Sequence, residues 1–148
     1  MRRGKMVSIF QYLGVLVIER DPLFRLVAEE MLQECGFRAI YSEANPDHLA
    51  EIMKAMQVDL ALIDQDYSQA LTKIRTHQTS HHILLISMAM DMGPTNYIRA
   101  VRAGADAIIP KNFSRKLLLD TITRIMSSEN GRRARIVPFP ERIRRNAP

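Results

Sequence analysis

VLVIERDPLFRLVAEEMLQECG, residues 15–36, changes its period halfway. Val15–Ile18 is an unbroken apolar run, mostly β-branched, the pattern of a strand buried on both faces. From Leu23 the apolar residues recur at Leu26, Val27, Met31 and Leu32, which is helical spacing, and Gly36 stands where a left-handed C-cap belongs. Between the two halves lie Glu19, Arg20, Asp21 and Pro22. A strand that ends in charge and turns straight into a helix is one βα unit. The fold depends on whether the rest of the chain repeats it.

It does. RAIYSEA predicts a second strand, and Asn45 with Pro46 predicts the start of a helix through DHLAEIMKAM. DLALID predicts a strand ending at Asp64, followed by a short helix in SQALTKIRTH. HILLIS predicts a strand ending at Ser87, and PTNYIRAVRAG a helix stopped at Gly104. DAIIP predicts a fifth strand running into Lys111; Ser114 then caps RKLLLDTITRIMSS, and Gly131 is expected to end it. Strict alternation with apolar strands implies an α/β fold: a doubly wound parallel five-stranded sheet with helices on both faces.

The chain of 148 residues suits one domain. Its apolar fraction of 47% and charged fraction of 25% are those of a soluble globular protein. No apolar run approaches the ~20 residues of a membrane span. The basic, apolar N-terminus is interrupted by Gln11 and Tyr12 and lacks a small-residue cleavage site, so it does not read as an export signal. Cys35 is the only cysteine; no intrachain disulfide forms, and a reducing, cytoplasmic setting is expected. The net charge of +5 is carried by the ends. Arg2, Arg3 and Lys5 open the chain, and six arginines lie in residues 131–148, leaving a mildly acidic body. Residues 1–14 are read as a basic extension, 15–130 as the domain and 131–148 as an arginine-rich tail, a segment too short for an output domain. Terminal charge runs are mostly solvating; a minority bind nucleic acid or an acidic partner.

In a doubly wound sheet, ligands bind beyond the carboxyl ends of the strands. Those ends present Glu19, Arg20, Asp21, Asp64, Ser87 and Lys111. A carboxylate there can act as nucleophile toward a phosphoryl group, whose charge spreads over three oxygens. A lysine, a hydroxyl and a divalent metal held by carboxylates can each take one.

VIERDPLFR, VDLALID, LLIS and AVRAGADAIIPKNFS, in that order and spacing, resemble the receiver domain of two-component response regulators over about residues 15–128. The resemblance implies a flavodoxin-like (βα)5 fold with strand order 2-1-3-4-5. It puts Asp64 at the phosphoacceptor position, Ser87 at the switch hydroxyl and Lys111 at the phosphate-contacting lysine. Glu19 and Arg20 fall on the paired acidic metal positions, with Asp21 completing the acidic-pocket equivalents. Glu19, Asp21 and Asp64 are the candidate metal ligands, for a Mg²⁺ that binds weakly if at all; no cofactor is required.

The departures cluster at that site. Arg20 stands where the family has an acid, and a guanidinium cannot ligate Mg²⁺. Two placements are open: Arg20 fills the metal position, paired with Asp64 or Glu19, or it points to solvent while Asp21 or Asp66 recruits a metal weakly. The Met-Pro…Gly loop after the phosphoacceptor is replaced by QDYSQALTKIR, about five residues short. Lys111 is followed by Asn112, not proline, so a trans bond is expected. Ile108 replaces the aromatic switch residue.

Other residues read as structural. Adjacent His81 and His82 face opposite sides of a strand and, with His48 and His77 remote, make a poor metal site. Cys35 reads as a buried small apolar residue. Met88, Met90 and Met92 fall near the crevice as gap fillers or an adaptable surface, and Tyr67 and Tyr97 are placed at its flanks. The resemblance implies a non-enzymatic, stand-alone atypical receiver, acting in signalling through protein contacts, with phosphorylation at Asp64 impaired by Arg20. The alternatives are a conventional phosphorylatable regulator and a nucleic-acid-binding adaptor using the basic tail. A histidine kinase or other signalling protein is the expected partner, and a homodimer would use the fourth helix, fifth strand and fifth helix.

Overall fold

The computed structural model describes residues 9–77 and 81–132, with backbone only from residue 129. The five strands are β1 (Gly14–Ile18), β2 (Ala39–Glu43), β3 (Leu60–Asp64), β4 (Leu84–Ala89) and β5 (Ala107–Pro110). They pair in the order β2-β1-β3-β4-β5, all parallel, as expected. The helices are α1 (Pro22–Cys35), α2 (Leu49–Ala55), α3 (Ser68–Thr76), α4 (Pro94–Ala103) and α5 (Arg115–Arg132).

The period of two along each strand divides the core. Val15, Val17, Leu60, Leu62, Leu84 and Ile86 face α1 and α5, meeting Ala28, Leu32, Leu118 and Ile122. Leu16, Ile18, Ala61, Ile63 and Leu85 face the other way, meeting Leu49 and Ile52 of α2 and Leu71 and Ile74 of α3. β1 and β3 are buried at every position, because each carries a helix layer on both faces. Cys35 is buried in the first cluster, and burial pushes its thiol up to about 11, so it packs as an apolar residue.

Local signals explain most boundaries. Asp21 caps α1 by accepting from the Leu23 N–H at 2.8 Å, with Pro22 behind it at the first helical position. Gly36 and Gly104 end α1 and α4 at φ 107° and 108°. Ser114 Oγ accepts from the Leu117 N–H at 3.1 Å and caps α5. Among the described residues there is no cis peptide bond, so Lys111–Asn112 is trans.

Three boundaries differ from expectation. Asn45 does not cap α2; its Oδ1 accepts from the Asp47 N–H at 2.9 Å, an Asx turn, and the helix starts at Leu49. Gly131 does not end α5, which runs to Arg132. A glycine inside a helix costs about 1 kcal/mol, and here it is carried by the helix before it. β4 continues past Ser87 to Ala89. Before β1, Phe10 lies in a short 3-10 turn (Phe10–Tyr12) and stacks on Phe37 with centroids 4.5 Å apart. Phe10, Leu13 and Gly14 of the expected extension are therefore packed against or paired with the domain, while Tyr12 is exposed. The basic residues 1–5 and the arginine-rich run from residue 133 lie outside the described residues.

Candidate functional site

Parallel pairing brings the carboxyl ends of all five strands to one edge. Glu19 follows β1, Asp64 ends β3 and Lys111 follows β5, so three chain segments far apart in sequence meet there. Glu19 and Asp64 are fully buried and Lys111 nearly so. The Lys111 Nζ lies 3.1 Å from Glu19 Oε2 and 3.1 Å from Asp64 Oδ1, and 5.9 Å from the centroid of the Phe24 ring. One ammonium thus bridges two buried carboxylates.

Backbone donors complete the set. Asp64 Oδ1 accepts from the Asp66 N–H at 3.0 Å and Oδ2 from the Arg20 N–H at 3.2 Å. Glu19 Oε2 accepts from the Asp21 N–H at 2.9 Å. Burial pushes the Asp64 carboxyl up, but Asp66, Lys111 and Arg20 outweigh it and hold it below the ordinary range. Glu19 goes the other way: burial, with the Asp64 charge beside it, outweighs Asp21 and Lys111 and raises it. Burial would lower Lys111, but Asp64 and Glu19 outweigh it and raise it.

The opposite shifts give a prediction. Asp64→Asn removes the charge that Lys111 and two backbone N–H groups stabilise and turns one of its two acceptor oxygens into a donor, and is expected to destabilise the fold by about 1–3 kcal/mol. Glu19→Gln removes a charge that burial disfavours, and is expected to stay within about 1 kcal/mol of the parent or to stabilise. Urea titrations near neutral pH without Mg²⁺ check both. A midpoint that rises in Asp64→Asn would show that mutual repulsion of the carboxylates dominates.

Two expected roles need correction. Arg20 does not fill the crevice: its guanidinium pairs with Asp66 at the mouth, both side chains being more than half exposed. A guanidinium is weakly held by a crevice that already contains an ammonium, and an exposed carboxylate is within its reach. Asp21 does not line the pocket, because its carboxylate is taken by the cap of α1. Tyr97 is exposed, whereas Tyr67 is half-buried against the second core cluster. Of the three methionines, Met88 is core, and Met90 and Met92 are exposed.

Ser87 is buried beside β3, paired in register with Ile63, and its Oγ has no hydrogen-bond partner. Glu19 Oε1 and Gln65 Nε2 are likewise buried and unpartnered. Gln65 was not among the sequence candidates; a polar residue directly after a strand-ending acid was the available signal.

The oxygen donors at the crevice are few. Mg²⁺ needs a near-octahedral shell of oxygens. Arg20 offers none, Asp21 is turned to the helix, and Glu19 and Asp64 already share Lys111.

The doubly wound parallel sheet thus carries an acid–lysine crevice at its carboxyl edge. The family model of the response regulator receiver domain matches residues 15–123, and the chain belongs to that family. It is 26% identical over 120 residues to the chemotaxis protein CheY of Halobacterium salinarum, covering 77% of this chain and 97% of that one. A response regulator from Thermotoga maritima superposes with a TM-score of 0.67 at 20% identity, over 78% of this chain and 98% of that one. The chemotaxis response regulator CheY4 of Vibrio cholerae gives 0.67 at 16%, over 76% and 98%. Receiver domains are modules of two-component signalling that interact with histidine kinases and other signalling proteins, and they commonly bind Mg²⁺ for phosphorylation. No helix among the described residues is long and apolar enough to cross a membrane.

Proposed function

We propose that this chain is an atypical receiver that transmits its signal through protein contacts and whose Asp64 is poorly served by Mg²⁺. One observation carries the reading: Lys111 bridges Glu19 and Asp64 while Arg20, at the position of an expected ligand acid, spends its guanidinium on Asp66. With one ligand acid missing and the remaining two sharing an ammonium, the crevice lacks the donors for tight Mg²⁺ binding. Phosphorylation of Asp64 through that ion is impaired accordingly.

The contact surface of this reading is α4–β5–α5, for a partner or a second copy. In its support, Tyr97, Ile98 and Val101 are exposed on α4. An aromatic and two branched aliphatic side chains on one short helix suit the buried centre of an interface better than water.

A second reading, a conventional phosphorylatable regulator, is favoured by the pairing of Asp64 with Lys111 and by a buried Ser87 on the neighbouring strand, in register with Ile63, whose hydroxyl has no hydrogen-bond partner. Calorimetric titration with Mg²⁺ separates the two. The parent is expected to give no saturable heat at millimolar Mg²⁺, and Arg20→Asp to restore saturation. Clear saturation in the parent favours the conventional regulator.

A further inference from the structure

We propose that the crevice accepts a phosphoryl group on Asp64 without a divalent cation, the Arg20 guanidinium supplying the charge compensation at its mouth. The inference rests on Asp64 as the phosphoacceptor equivalent and deepens that reading.

The geometry ties Arg20 to the reacting carboxylate twice. Its own backbone N–H donates to Asp64 Oδ2 at 3.2 Å. Its side-chain partner, Asp66, donates a backbone N–H to Asp64 Oδ1 at 3.0 Å. Both ends of the Arg20–Asp66 strap are therefore anchored on Asp64, and a group built on that carboxylate stands within one side-chain swing of the guanidinium. The two side chains are 63% and 52% exposed, so opening the pair costs little. Deeper in, Lys111 Nζ lies 3.1 Å from Asp64 Oδ1, and the Ser87 hydroxyl is buried with nothing to bond.

The charges point the same way. Arg20 and Lys111 offset two of the three carboxylates Glu19, Asp64 and Asp66 without any metal, leaving one negative charge. A phosphoryl group on Asp64 adds about one further negative charge. A guanidinium is permanently charged, and its planar fork matches phosphoryl oxygens with paired N–H bonds. Arginine placed on a transferring phosphoryl group is an effective stabiliser of its charge.

The step balances with a small phosphoramidate or acyl phosphate as donor. An Asp64 carboxylate oxygen attacks phosphorus, and the new O–P bond forms as the bond to the leaving group breaks. The leaving group departs with the electron pair and takes a proton from solvent. Arg20 leaves Asp66 and holds the equatorial oxygens, Lys111 and Ser87 donating from inside.

The full chain is incubated with phosphoramidate near neutral pH, in EDTA and separately in excess Mg²⁺, and intact mass is followed with time. One phosphoryl group is expected in EDTA, at a rate that Mg²⁺ changes by less than about threefold. Arg20→Gln is expected to slow the EDTA reaction about ten- to hundredfold. Arg20→Asp should react only with Mg²⁺, and Asp64→Asn not at all. Arg20 lies at the surface, so its variants keep the core. A parent that reacts only with Mg²⁺ overturns the inference together with the reading of a crevice poorly served by that ion. A parent inert in both media overturns the inference and leaves the protein-contact reading standing. An Arg20→Gln rate equal to the parent's overturns the role of the guanidinium.

Discussion

Arg75→Ala is expected to destabilise the domain by about 2–4 kcal/mol, although Arg75 is far from the crevice. The guanidinium of Arg75, on α3, donates to the Gly104 carbonyl through Nε at 3.1 Å and Nη2 at 2.9 Å, and to the Ile83 carbonyl through Nη1 at 2.8 Å. Nη2 is also 2.8 Å from Asp106 Oδ2, which accepts from the Leu85 N–H at 2.9 Å. His82 adds a ring nitrogen 3.5 Å from the same carboxylate oxygen. One side chain thus closes α3 onto the turn between α4 and β5 and onto the start of β4. Alanine leaves two carbonyls and a mostly buried carboxylate without it. The lower bound allows for the quarter of the Arg75 side chain that water reaches. Arg75→Lys is expected to recover less than half, because an ammonium lacks the planar fork that spans these acceptors.

The pH dependence follows from Asp106. Burial pushes its carboxyl up, but His82, Arg75 and the Leu85 N–H outweigh it and hold it below the ordinary 3.8. Its folded value lies below its unfolded one, so the stabilisation is fully present above the unfolded value and is lost as pH falls through the folded one. The gap between parent and Arg75→Ala should therefore narrow in strong acid. Urea titrations at neutral pH and at about pH 3 measure both. A neutral-pH gap below about 1 kcal/mol would show a solvated surface cluster that fastens nothing.

This cluster was invisible in the sequence, and the reason is physical. Arg75 and Asp106 are joined only by the tertiary fold, and each sits in an ordinary amphipathic or turn context. The sheet was legible because burial on both faces forces continuous apolar runs, as in Val15–Ile18 and Leu60–Ile63. Gly36 and Gly104 were legible because a left-handed cap is a backbone demand that glycine meets most easily. Glu19, Asp64 and Lys111 were brought together by topology alone: residues at the ends of parallel strands must converge.

Side-chain direction was the part that pattern left open. Arg20 has a long flexible stem, and both a filled crevice and a pairing at the mouth satisfied its charge. The deciding feature was Lys111, which already supplies the cation inside. Asp21 carried its own signal, since an aspartate directly before a helix-opening proline is an N-cap pattern. Its place in a run of charges pointed to the pocket instead. Asn45 erred in the other direction: an Asx turn and an N-cap use the same side-chain oxygen and differ only in what the chain does two residues on.

Lys111→Met should produce the largest loss at the crevice, about 3–5 kcal/mol near neutral pH. Methionine keeps much of the apolar stem that lies near Phe24 and removes only the ammonium. Two fully buried carboxylates then face each other, with backbone N–H groups as their remaining donors. In the parent, Lys111 helps hold Asp64 low, a contribution present above the unfolded value and lost as pH falls through the folded one. Its own raised value adds stability that is full below the unfolded value, near 10.5, and is lost as pH rises through the folded one. In the variant the sign at the carboxylates reverses. Burial and mutual repulsion now raise both, so their ionisation costs stability at neutral pH, and protonating one of them relieves it. The variant should therefore regain ground on the parent as pH falls from neutral toward the ordinary carboxylate range, taking up a proton on folding. Denaturant midpoints across that range, with and without Mg²⁺, are the measurement. A deficit that stays constant with pH would show that the two carboxylates do not depend on Lys111 for their charge, and the bridged crevice would no longer support the proposal of weak Mg²⁺ binding.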